Sequence, residues 1–258
     1  MSEKTAIVTG ASSGIGTQIA KELSSRGYAL VLVGRNEQKL SNVAKMLTTP
    51  ATIIAADLST KEGCQAVIDK TASLPVDVLI NNAGFGLCGD LIDTDENAEL
   101  EMIETNIRAV YLLTKHFVRR FHSQNNGYIL NVASSAGFLP GVHMAVYYAT
   151  KSFVLRLSQA VCDELRLKKS RVHVSVLCPG PVDTNFSDRA HVHFLVPGMD
   201  SRRVARIAVN GMFRRKMVII PGFLMKAAHV IERLLPERIL TASSAMMQTP
   251  TAKKGDPQ

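Results

Sequence analysis

The sequence of 258 residues has few cysteines, and it lacks any long apolar run. Its four cysteines form no CxxC pair and have no metal-ligand spacing, so reduced thiols are expected and neither a zinc site nor a disulfide framework is predicted. No apolar stretch approaches the roughly 18 residues that a membrane-spanning helix needs. The first residues pass almost directly into an apolar strand, without the regions of a secretory signal. These absences predict a cytoplasmic protein with no transmembrane segment.

Positive charge exceeds negative charge, and the formal net charge is +8. Part of the excess lies in residues 200–216, where six basic residues stand against one acid. This stretch is either a solvated helix face or a patch that attracts an anionic substrate carrier such as coenzyme A. No recognised nucleic-acid module is present, so nucleic acid is not an expected partner.

Strand-like apolar segments alternate with helical patterns along most of the chain. The predicted strands are 5–9, 29–33, 52–56, 76–80, 128–132, 172–177 and 217–220. The predicted helices are 14–26, 37–46, 61–72, 99–121, 146–167 and 227–235. This alternation predicts βαβ units. The expected fold class is therefore α/β, a Rossmann-type doubly wound parallel sheet of about seven strands flanked by helices.

The pattern predicts one dinucleotide-binding and catalytic domain over residues 1–240. After Cys178 the alternation loosens, and residues 180–199 read as a long loop rich in Pro, Gly, Asp and His. Long loops in compact domains are often functional, so a substrate lid is predicted over about 184–216. The tail 241–258 is rich in Ser, Thr, Pro and Lys and is predicted to be disordered.

A glycine-rich segment, Thr9–Gly16, lies between the first predicted strand and the first predicted helix. Its spacing is G-x-x-x-G-x-G, and glycine lets the backbone turn tightly and approach a phosphate closely. The helix that follows offers free N–H groups to an anion. The segment therefore predicts a pyrophosphate site, whose candidate residues are Gly10, Ser12, Ser13, Gly14, Ile15 and Gly16.

The end of the second predicted strand indicates which dinucleotide is bound. NAD-binding proteins usually place an acid there to accept hydrogen bonds from the ribose 2′-hydroxyl. This chain has Gly34 and Arg35 instead, and arginine can form a charge-assisted fork with a 2′-phosphate. The expected cofactor is therefore NADP(H).

A tyrosine and a lysine, Tyr147 and Lys151, lie four residues apart at the start of a predicted helix. That spacing puts both side chains on one helix face, with the ammonium near the phenol. Ser134 lies at the end of the preceding strand, and a parallel sheet brings strand ends and helix starts to one cleft. These three residues predict a catalytic group.

Taken in order along the chain, the motifs resemble those of the short-chain dehydrogenase/reductase family in its single-domain form. The shared elements are Thr9–Gly16, Asp57, Asn81–Gly84, Asn106, Ser134, Tyr147, Lys151 and Pro179–Gly180. The resemblance covers about residues 3–185, and Arg35 matches the NADP-preferring branch. A shorter likeness over residues 214–222 is to a ketoacyl-reductase-like branch.

The resemblance implies a role for each catalytic residue. Tyr147 would give a proton to the carbonyl oxygen, and Lys151 would lower the tyrosine pKa and hold the nicotinamide ribose. Ser134 would polarise the substrate oxygen. Asn106 resembles a helix asparagine whose local kink holds a water in a relay to the lysine. The adjacent Tyr148 and Ser135 lack the matching spacing and are interpreted as packing or loop residues.

The resemblance also implies the remaining cofactor contacts, which lie in three loops. They are Asp57 and Leu58 at the adenine, Asn82, Ala83 and Gly84 under the adenosine ribose, and Pro179, Gly180, Val182 and Thr184 around the nicotinamide. A pair of histidines, His191 and His193, has no third ligand at suitable spacing, so no metal is predicted.

The expected activity is reduction of a small-molecule carbonyl compound with NADPH, on a hydrophobic ketone or a 3-ketoacyl compound. The residues expected to border the substrate are apolar: Phe85, Phe138, Leu139, Val142, Met144, Phe186 and Phe194. Two alternatives remain open, an NAD(P)-linked alcohol dehydrogenase working in the oxidative direction and a non-catalytic NADP-sensing protein. Apolar helices around Ile107 and Leu157 predict a homodimer or homotetramer.

Overall fold

The computed structural model describes residues 4–232 and 234–250. In chain order the strands are β1 (Thr5–Thr9), β2 (Ala29–Gly34), β3 (Ala51–Ala55), β4 (Val76–Asn81), β5 (Tyr128–Val132), β6 (His173–Leu177), β7 (Val182–Asp183), β8 (Val192–Phe194), β9 (Met199–Asp200), β10 (Val218–Ile219) and β11 (Gln248–Pro250). The α-helices are α1 (Gly14–Ser24), α2 (Glu37–Ala44), α3 (Lys61–Lys70), α4 (Glu96–Ile103), α5 (Val110–Gln124), α6 (Ala145–Leu167), α7 (Phe186–Ala190), α8 (Ser201–Phe213), α9 (Phe223–Glu232) and α10 (Glu237–Met247). A π-helical turn (Glu104–Ala109) joins α4 to α5, and a 3-10 turn (Ser135–Phe138) follows β5.

Seven parallel strands form the main sheet in the order β3–β2–β1–β4–β5–β6–β10. This confirms the predicted doubly wound sheet and its strand number. The strand order reverses between β1 and β4, and in such sheets a ligand crevice opens beyond the carboxyl ends of the strands at that point. The phosphate loop and the residues after β4 therefore meet at one edge of the sheet.

Successive residues of β1 belong to opposite faces of the sheet, as the strand period requires. Ala6 and Val8 join the core under α1, α2 and α8, whereas Ile7 joins the core under α3, α5 and α6. All five residues of β1 are buried. Because both faces of the sheet are covered around β1, its central residues from Ala6 to Val8 are continuously apolar and do not alternate with polar ones.

The predicted helix 99–121 is part of a longer continuous helix that runs through α4, the π turn and α5. It begins earlier than predicted because the Asp95 side chain accepts a hydrogen bond from the Ala98 N–H over 2.8 Å and caps α4. The π turn widens the helix at Asn106, which is completely buried. This local irregularity agrees with the kink expected at that residue.

Residues 180–199 contain short elements, β7, α7, β8 and β9, within the predicted loop. The following helix, α8, belongs to the core, because Val204, Ala208 and Met212 are fully buried against α1. The burial of α8 in the core therefore argues against a lid that reaches residue 216, and the part of the predicted lid that lines the cleft lies within residues 184–196. The basic residues of 200–216 are exposed, which agrees with a solvated helix face.

The chain after Thr241 differs from the predicted disordered tail. Residues 241–250 continue α10 and form β11, which pairs antiparallel with β8. Leu240 is buried, and the Ser244 hydroxyl accepts a hydrogen bond from the Val142 N–H over 3.2 Å. The amphipathic pattern of α10 is short, and the residues it packs against are distant in the sequence. Composition alone therefore predicted disorder where the structure has a helix and a strand. The remainder of the predicted tail, 251–258, lies outside the described residues.

Across residues 4–232 and 234–250, no helix combines the length and the apolar character needed to cross a bilayer.

Candidate active site

A cleft of about 330 Å³ opens at the carboxyl edge of the sheet, between the ends of β1 and β4. Every predicted catalytic and cofactor residue lines it except Gly16 and Asn106. Residues from seven separate segments of the sequence, between Gly10 and Thr184, thus meet around one space.

The phosphate loop turns from β1 into α1 on glycine conformations. Gly14 borders the cleft with a φ of +56°, a region that side chains disfavour. Gly16 lies behind the loop, and a Cβ added there would stand 2.3 Å from the carbonyl oxygen of Gly10. Gly16 therefore allows the helix to pack tightly against the loop and does not line the cleft. Ser13 starts α1 in an extended conformation, and its side chain does not cap the helix.

Asn82 and Thr9 hold the phosphate loop against the end of β4. The Asn82 amide donates to the carbonyl oxygens of Thr9 and Gly10, over 3.0 and 3.2 Å. The Thr9 hydroxyl accepts from the backbone N–H groups of Asn82 and Ala83, over 2.9 and 3.0 Å. These hydrogen bonds fix the shape of the phosphate loop, so Thr9 and Asn82 have a structural role.

Arg35 lies at the end of β2 beside two acids. Its Nη1 is 2.8 Å from Oε1 of Glu101, a residue of α4, and both side chains are about half exposed. Arg35 also acts on Asp57: burial opposes ionisation there, but hydrogen bonds from Ser59 and the charge of Arg35 outweigh it and lower the Asp57 pKa. This end of the cleft, the adenosine end, is where the predicted adenosine contacts lie, and it carries one guanidinium and two carboxylates.

Tyr147, Ser134 and Lys151 meet at the other end of the cleft. The Ser134 side chain lies close enough to the Tyr147 hydroxyl to lower its pKa, and Tyr147 is 7 % exposed. The Lys151 ammonium lies 5.6 Å from the centre of the Tyr147 ring and donates to the Val132 carbonyl oxygen over 3.1 Å. The helix spacing of tyrosine and lysine therefore brings them together as predicted.

The pKa of Tyr147 differs from the predicted direction. Burial raises it well above 10, and the nearby Ser134 side chain opposes this only in part. Burial also lowers the pKa of Lys151 to about 8. The lysine is directed at a backbone oxygen in a desolvated site, so desolvation governs the pKa of both groups.

Asn106 stands behind the cleft. Its amide donates to the Phe85 carbonyl oxygen over 2.9 Å and to the Thr150 hydroxyl over 3.1 Å, while its Oδ1 accepts from the Phe85 N–H over 3.1 Å. A Cβ added at Gly84 would lie 2.7 Å from this Oδ1 and 3.4 Å from the Lys151 ammonium. The asparagine is therefore a positioning residue that ties the loop after β4 to α6.

Apolar side chains cover the cleft next to Tyr147. Four of the predicted substrate residues lie there: Phe85, Met144, Phe186 and Phe194. The Phe186 ring is 5.5 Å from the Tyr147 ring, centre to centre. The other three predicted residues, Phe138, Leu139 and Val142, do not line the cleft, and Phe138 packs on the His229 ring at 3.8 Å.

Several residues of the cleft were missed by sequence reasoning, among them Glu101, Tyr148 and Met225. Tyr148 was interpreted as packing, but it borders the cleft beside Tyr147. Met225 comes from α9 and packs on Gly180, where an added Cβ would lie 2.9 Å from the methionine sulfur. No local pattern marks these positions, because each reaches the cleft through tertiary packing.

The residues present fit a dinucleotide. The N-terminus of α1 has no side-chain cap and faces the cleft with glycines around it, as a pyrophosphate requires. Arg35 would meet a group on the adenosine ribose, and Lys151 would meet hydroxyls of the nicotinamide ribose. When bound, such a cofactor supplies hydride chemistry beside Tyr147. Among the described residues, no cluster of three or more His, Cys, Asp or Glu could hold a metal ion.

Comparison with protein families matches residues 4–192 to the family described as short chain dehydrogenase. An uncharacterised oxidoreductase of Staphylococcus epidermidis is 39 % identical over 190 residues, which span 72 % of this chain and 81 % of that protein.

Two solved structures are similar over nearly the whole chain. A short-chain dehydrogenase from Sphingobium yanoikuyae in complex with NADPH is 30 % identical, with a TM-score of 0.79, and the match covers 91 % of this chain and 97 % of that one. A bulky-bulky ketone specific alcohol dehydrogenase from Comamonas testosteroni is also 30 % identical, with a TM-score of 0.78 and coverage of 89 % and 91 %.

Proposed function

The chain belongs to the short-chain dehydrogenase/reductase family of oxidoreductases, and we propose that it reduces a hydrophobic ketone or 3-ketoacyl compound with NADPH. The observation that carries the proposal is the buried Tyr147 with the Ser134 side chain beside its hydroxyl, in a cleft with one apolar wall. Lys151 lies one helical turn from Tyr147 and completes the proposed catalytic group.

The reaction uses two protein groups on the substrate oxygen. When bound, the reduced nicotinamide supplies a hydride to the carbonyl carbon. The Ser134 hydroxyl holds the carbonyl oxygen, and the Tyr147 hydroxyl donates its proton to it as negative charge develops there. Burial raises the Tyr147 pKa, so the phenol is protonated near neutral pH. A protonated phenol suits the reductive direction.

Lys151 has a different task from Tyr147. Its ammonium donates to the Val132 carbonyl oxygen and lies near Gly84, at the end of the cleft where a ribose would bind. Burial lowers its pKa to about 8, which still leaves most of it protonated at neutral pH. Lys151 would thus hold the nicotinamide ribose and favour the charge that forms when Tyr147 loses its proton.

NADPH is the proposed cofactor because of Arg35. It is the basic residue that lines the adenosine end of the cleft, and Gly34 stands before it where an acid would select NAD. A guanidinium pairs with a 2′-phosphate through charge-assisted hydrogen bonds. The similar short-chain dehydrogenase from Sphingobium yanoikuyae, solved with NADPH, supports this choice.

A hydrophobic substrate is proposed because of the wall over Tyr147. Phe186, Phe194, Met144 and Met225 line the cleft there, and these side chains favour an apolar group next to the carbonyl. The similarity to a ketone-specific alcohol dehydrogenase supports a ketone. The basic residues of 200–216 are exposed, and such a patch attracts an anionic carrier attached to a substrate. The proposed substrates therefore include 3-ketoacyl thioesters.

The proposed enzyme is a cytoplasmic homodimer or homotetramer. All four cysteines are free thiols, as expected in a reducing compartment. The helices predicted to pair carry exposed apolar residues: Leu100 on α4, Tyr111 on α5 and Phe153 on α6. Pairing through these helices would remove that surface from water.

A turnover screen tests the proposed function. Bulky aryl and alkyl ketones and 3-ketoacyl thioesters are offered to the protein with NADPH and with NADH, and oxidation of the reduced cofactor is followed by absorbance. Turnover with at least one hydrophobic ketone and a preference for NADPH are expected. Binding of NADPH without turnover of any carbonyl would favour a sensing protein, and turnover confined to alcohols would favour the oxidative direction.

A further inference from the structure

The helix α9 has its apolar side turned away from the protein. None of its ten residues, all of which are described, is fully buried. Phe223, Leu224, Val230 and Ile231 are 87 %, 70 %, 62 % and 55 % exposed. At the spacing of an α-helix these four positions share one side, together with Ala227. An ordinary surface helix has the reverse arrangement, so this apolar side needs a partner.

The exposed apolar surface continues beyond α9. Leu234 is 81 % exposed and Ile239 is 51 % exposed, and Leu235 is partly exposed between them. The C-terminal apolar face is defined by Phe223, Leu224, Val230, Ile231, Leu234, Leu235 and Ile239. So many exposed apolar residues within one short stretch of chain mark an interaction surface more often than scattered single residues do.

The opposite side of α9 forms part of the active-site wall. Met225 lines the cleft and packs on Gly180, and the His229 ring packs on Phe138. The C-terminal apolar face therefore lies on the outer surface of the same helix that encloses the cleft. Whatever covers this face also lies at the rim of the cleft.

We propose that the C-terminal apolar face docks the protein on an anionic lipid bilayer. Among the side chains that the structure describes in this segment, the exposed charged ones are Lys226 and Arg238, and Glu232 is half-buried. Basic residues outnumber acidic ones from Phe223 to the end of the sequence, and the whole chain carries +8. Apolar side chains flanked by cations are the pattern of helices that lie in the membrane interface.

Charge favours a lipid surface over a second copy of the chain. In a two-fold symmetric pair the same patch lies on both sides of the contact, so the exposed cations of one copy would be brought near those of a partner with the same net charge. Anionic lipid headgroups attract these cations instead. The helices α9 and α10 have ten and eleven residues, too short to span a bilayer, so the docking is peripheral.

Docking would set the rim of an apolar cleft against lipid, where a hydrophobic carbonyl compound concentrates. This link to substrate rests on the proposed function, whereas docking itself does not. The test therefore measures binding of the full chain without cofactor or substrate.

Co-sedimentation with vesicles tests the proposal, using phosphatidylcholine alone and phosphatidylcholine with phosphatidylglycerol. The protein is expected to sediment with the phosphatidylglycerol vesicles, and less so at high salt. The double substitution Leu224→Glu with Ile231→Glu should lower the partition coefficient about tenfold or more, because two charges enter the apolar boundary. Lys226→Gln with Arg238→Gln should reduce the preference for phosphatidylglycerol and leave the weaker binding to phosphatidylcholine.

The matched control is Met46→Glu with Leu167→Glu, two apolar residues that are 58 % and 73 % exposed elsewhere on the surface. It should bind vesicles as the unmodified protein does, and thermal unfolding should show that all variants fold. The proposal is overturned if the unmodified protein stays in the supernatant with phosphatidylglycerol vesicles, or if the control loses binding equally. Loss of a dimer in light scattering on Leu224→Glu with Ile231→Glu, without vesicle binding by the unmodified protein, would assign the face to a second copy.

Discussion

Arg35 and Glu101 form an ion pair across the adenosine end of the cleft, with 2.8 Å between Nη1 and Oε1. The two residues come from β2 and α4, 66 positions apart in the sequence. Both side chains are about half exposed, so the pair contributes at most about 1 kcal/mol. Glu101 thus holds Arg35 at the edge of the cleft, and a 2′-phosphate can displace this carboxylate at a small cost in free energy.

Replacing Arg35 should change the affinity for NADPH far more than that for NADH. Arg35→Asp removes the charge-assisted contact with the 2′-phosphate and introduces repulsion, so NADPH binding should weaken by about 2–4 kcal/mol. The dissociation constants of both cofactors, measured by nucleotide fluorescence, test this. Equal losses for NADPH and NADH would remove Arg35 from the 2′-phosphate site.

Replacing Glu101 should have the opposite effect. Glu101→Gln removes a negative charge beside the phosphate position and releases Arg35, so NADPH binding should tighten by up to about 1 kcal/mol, roughly fivefold. NADH binding should change little. A weaker binding of NADPH in this variant would mean that Glu101 positions Arg35 for the phosphate and does not compete with it.

The proton donor is tested by comparing two adjacent tyrosines. Tyr147→Phe removes the hydroxyl beside Ser134 that is proposed to donate the proton, so turnover should fall by several orders of magnitude while NADPH binding stays unchanged. Tyr148→Phe is the matched control, because it also lines the cleft and should keep most of the turnover. A Tyr147→Phe variant that reduces a good substrate at a near-normal rate would refute the assignment.

The main sheet and the catalytic group follow from local patterns. The strand β1 is marked in the sequence by a short apolar run, Ala6 to Val8, and Tyr147 and Lys151 are joined by a single helical turn. Such signals lie within a few residues of each other and need no knowledge of the folded chain. The order of the motifs then placed Ser134 in the same cleft.

Other features depend on contacts between distant segments. Glu101 and Met225 enter the cleft from helices that the motifs do not include, and Phe138 turns away from it toward His229. The pKa of Tyr147 depends on how completely the site is desolvated, which the spacing to Lys151 does not reveal. Residues 241–250 were predicted to be disordered from their composition. In the structure β11 pairs with β8, a strand distant in the sequence, and the local sequence does not reveal that pairing.

The buried lysine should make stability depend on pH. Burial lowers the Lys151 pKa to about 8 from 10.5, so the unfolded chain binds the proton more tightly and the unfolding free energy rises as pH increases through the folded pKa. From pH 7 to 9 this gain is about 1 kcal/mol. Lys151→Met should lose this dependence, which urea unfolding of both proteins at the two pH values measures.

The stability comparison ends at pH 9 because buried cysteines have the opposite effect on stability above that pH. Burial raises the pKa of Cys64 to about 11 and that of Cys178 to about 12, so both thiols lower stability once the unfolded thiols ionise above about pH 9. Those effects are largely common to both proteins. The same slope in the unmodified protein and in Lys151→Met would show that the buried lysine is not the cause.

Assembly should depend on the exposed apolar residues of α4, α5 and α6. The protein is expected to be a dimer or tetramer at micromolar concentration by light scattering. Phe153→Glu, at a position 37 % exposed on α6, should shift it toward smaller species, because a charge would enter a subunit contact. Leu167→Glu, near the end of the same helix and 73 % exposed, is the control. A monomer at all concentrations would exclude assembly through these helices.

The segment over the cleft, Thr184–Met199, is expected to close when substrate binds. Its secondary structure is limited to short elements, α7 and β8 among them, and Leu195 is 66 % exposed. Phe186 and Phe194 are already half-buried, so covering the rest of their surface with a substrate contributes roughly 1.5–3 kcal/mol, and ordering the backbone costs about 1–2 kcal/mol for each residue that is fixed. These opposing quantities are of similar size, so an open form without ligands and a closed ternary complex are both accessible.

Amide hydrogen exchange of the segment should be fast in the free protein and slow with NADPH and a ketone analogue, whereas the core helix α8 should exchange slowly in both. Strong protection of 184–199 before any ligand is added would mean that the pairing of β8 with β11 already fixes the segment as a rigid wall of the cleft.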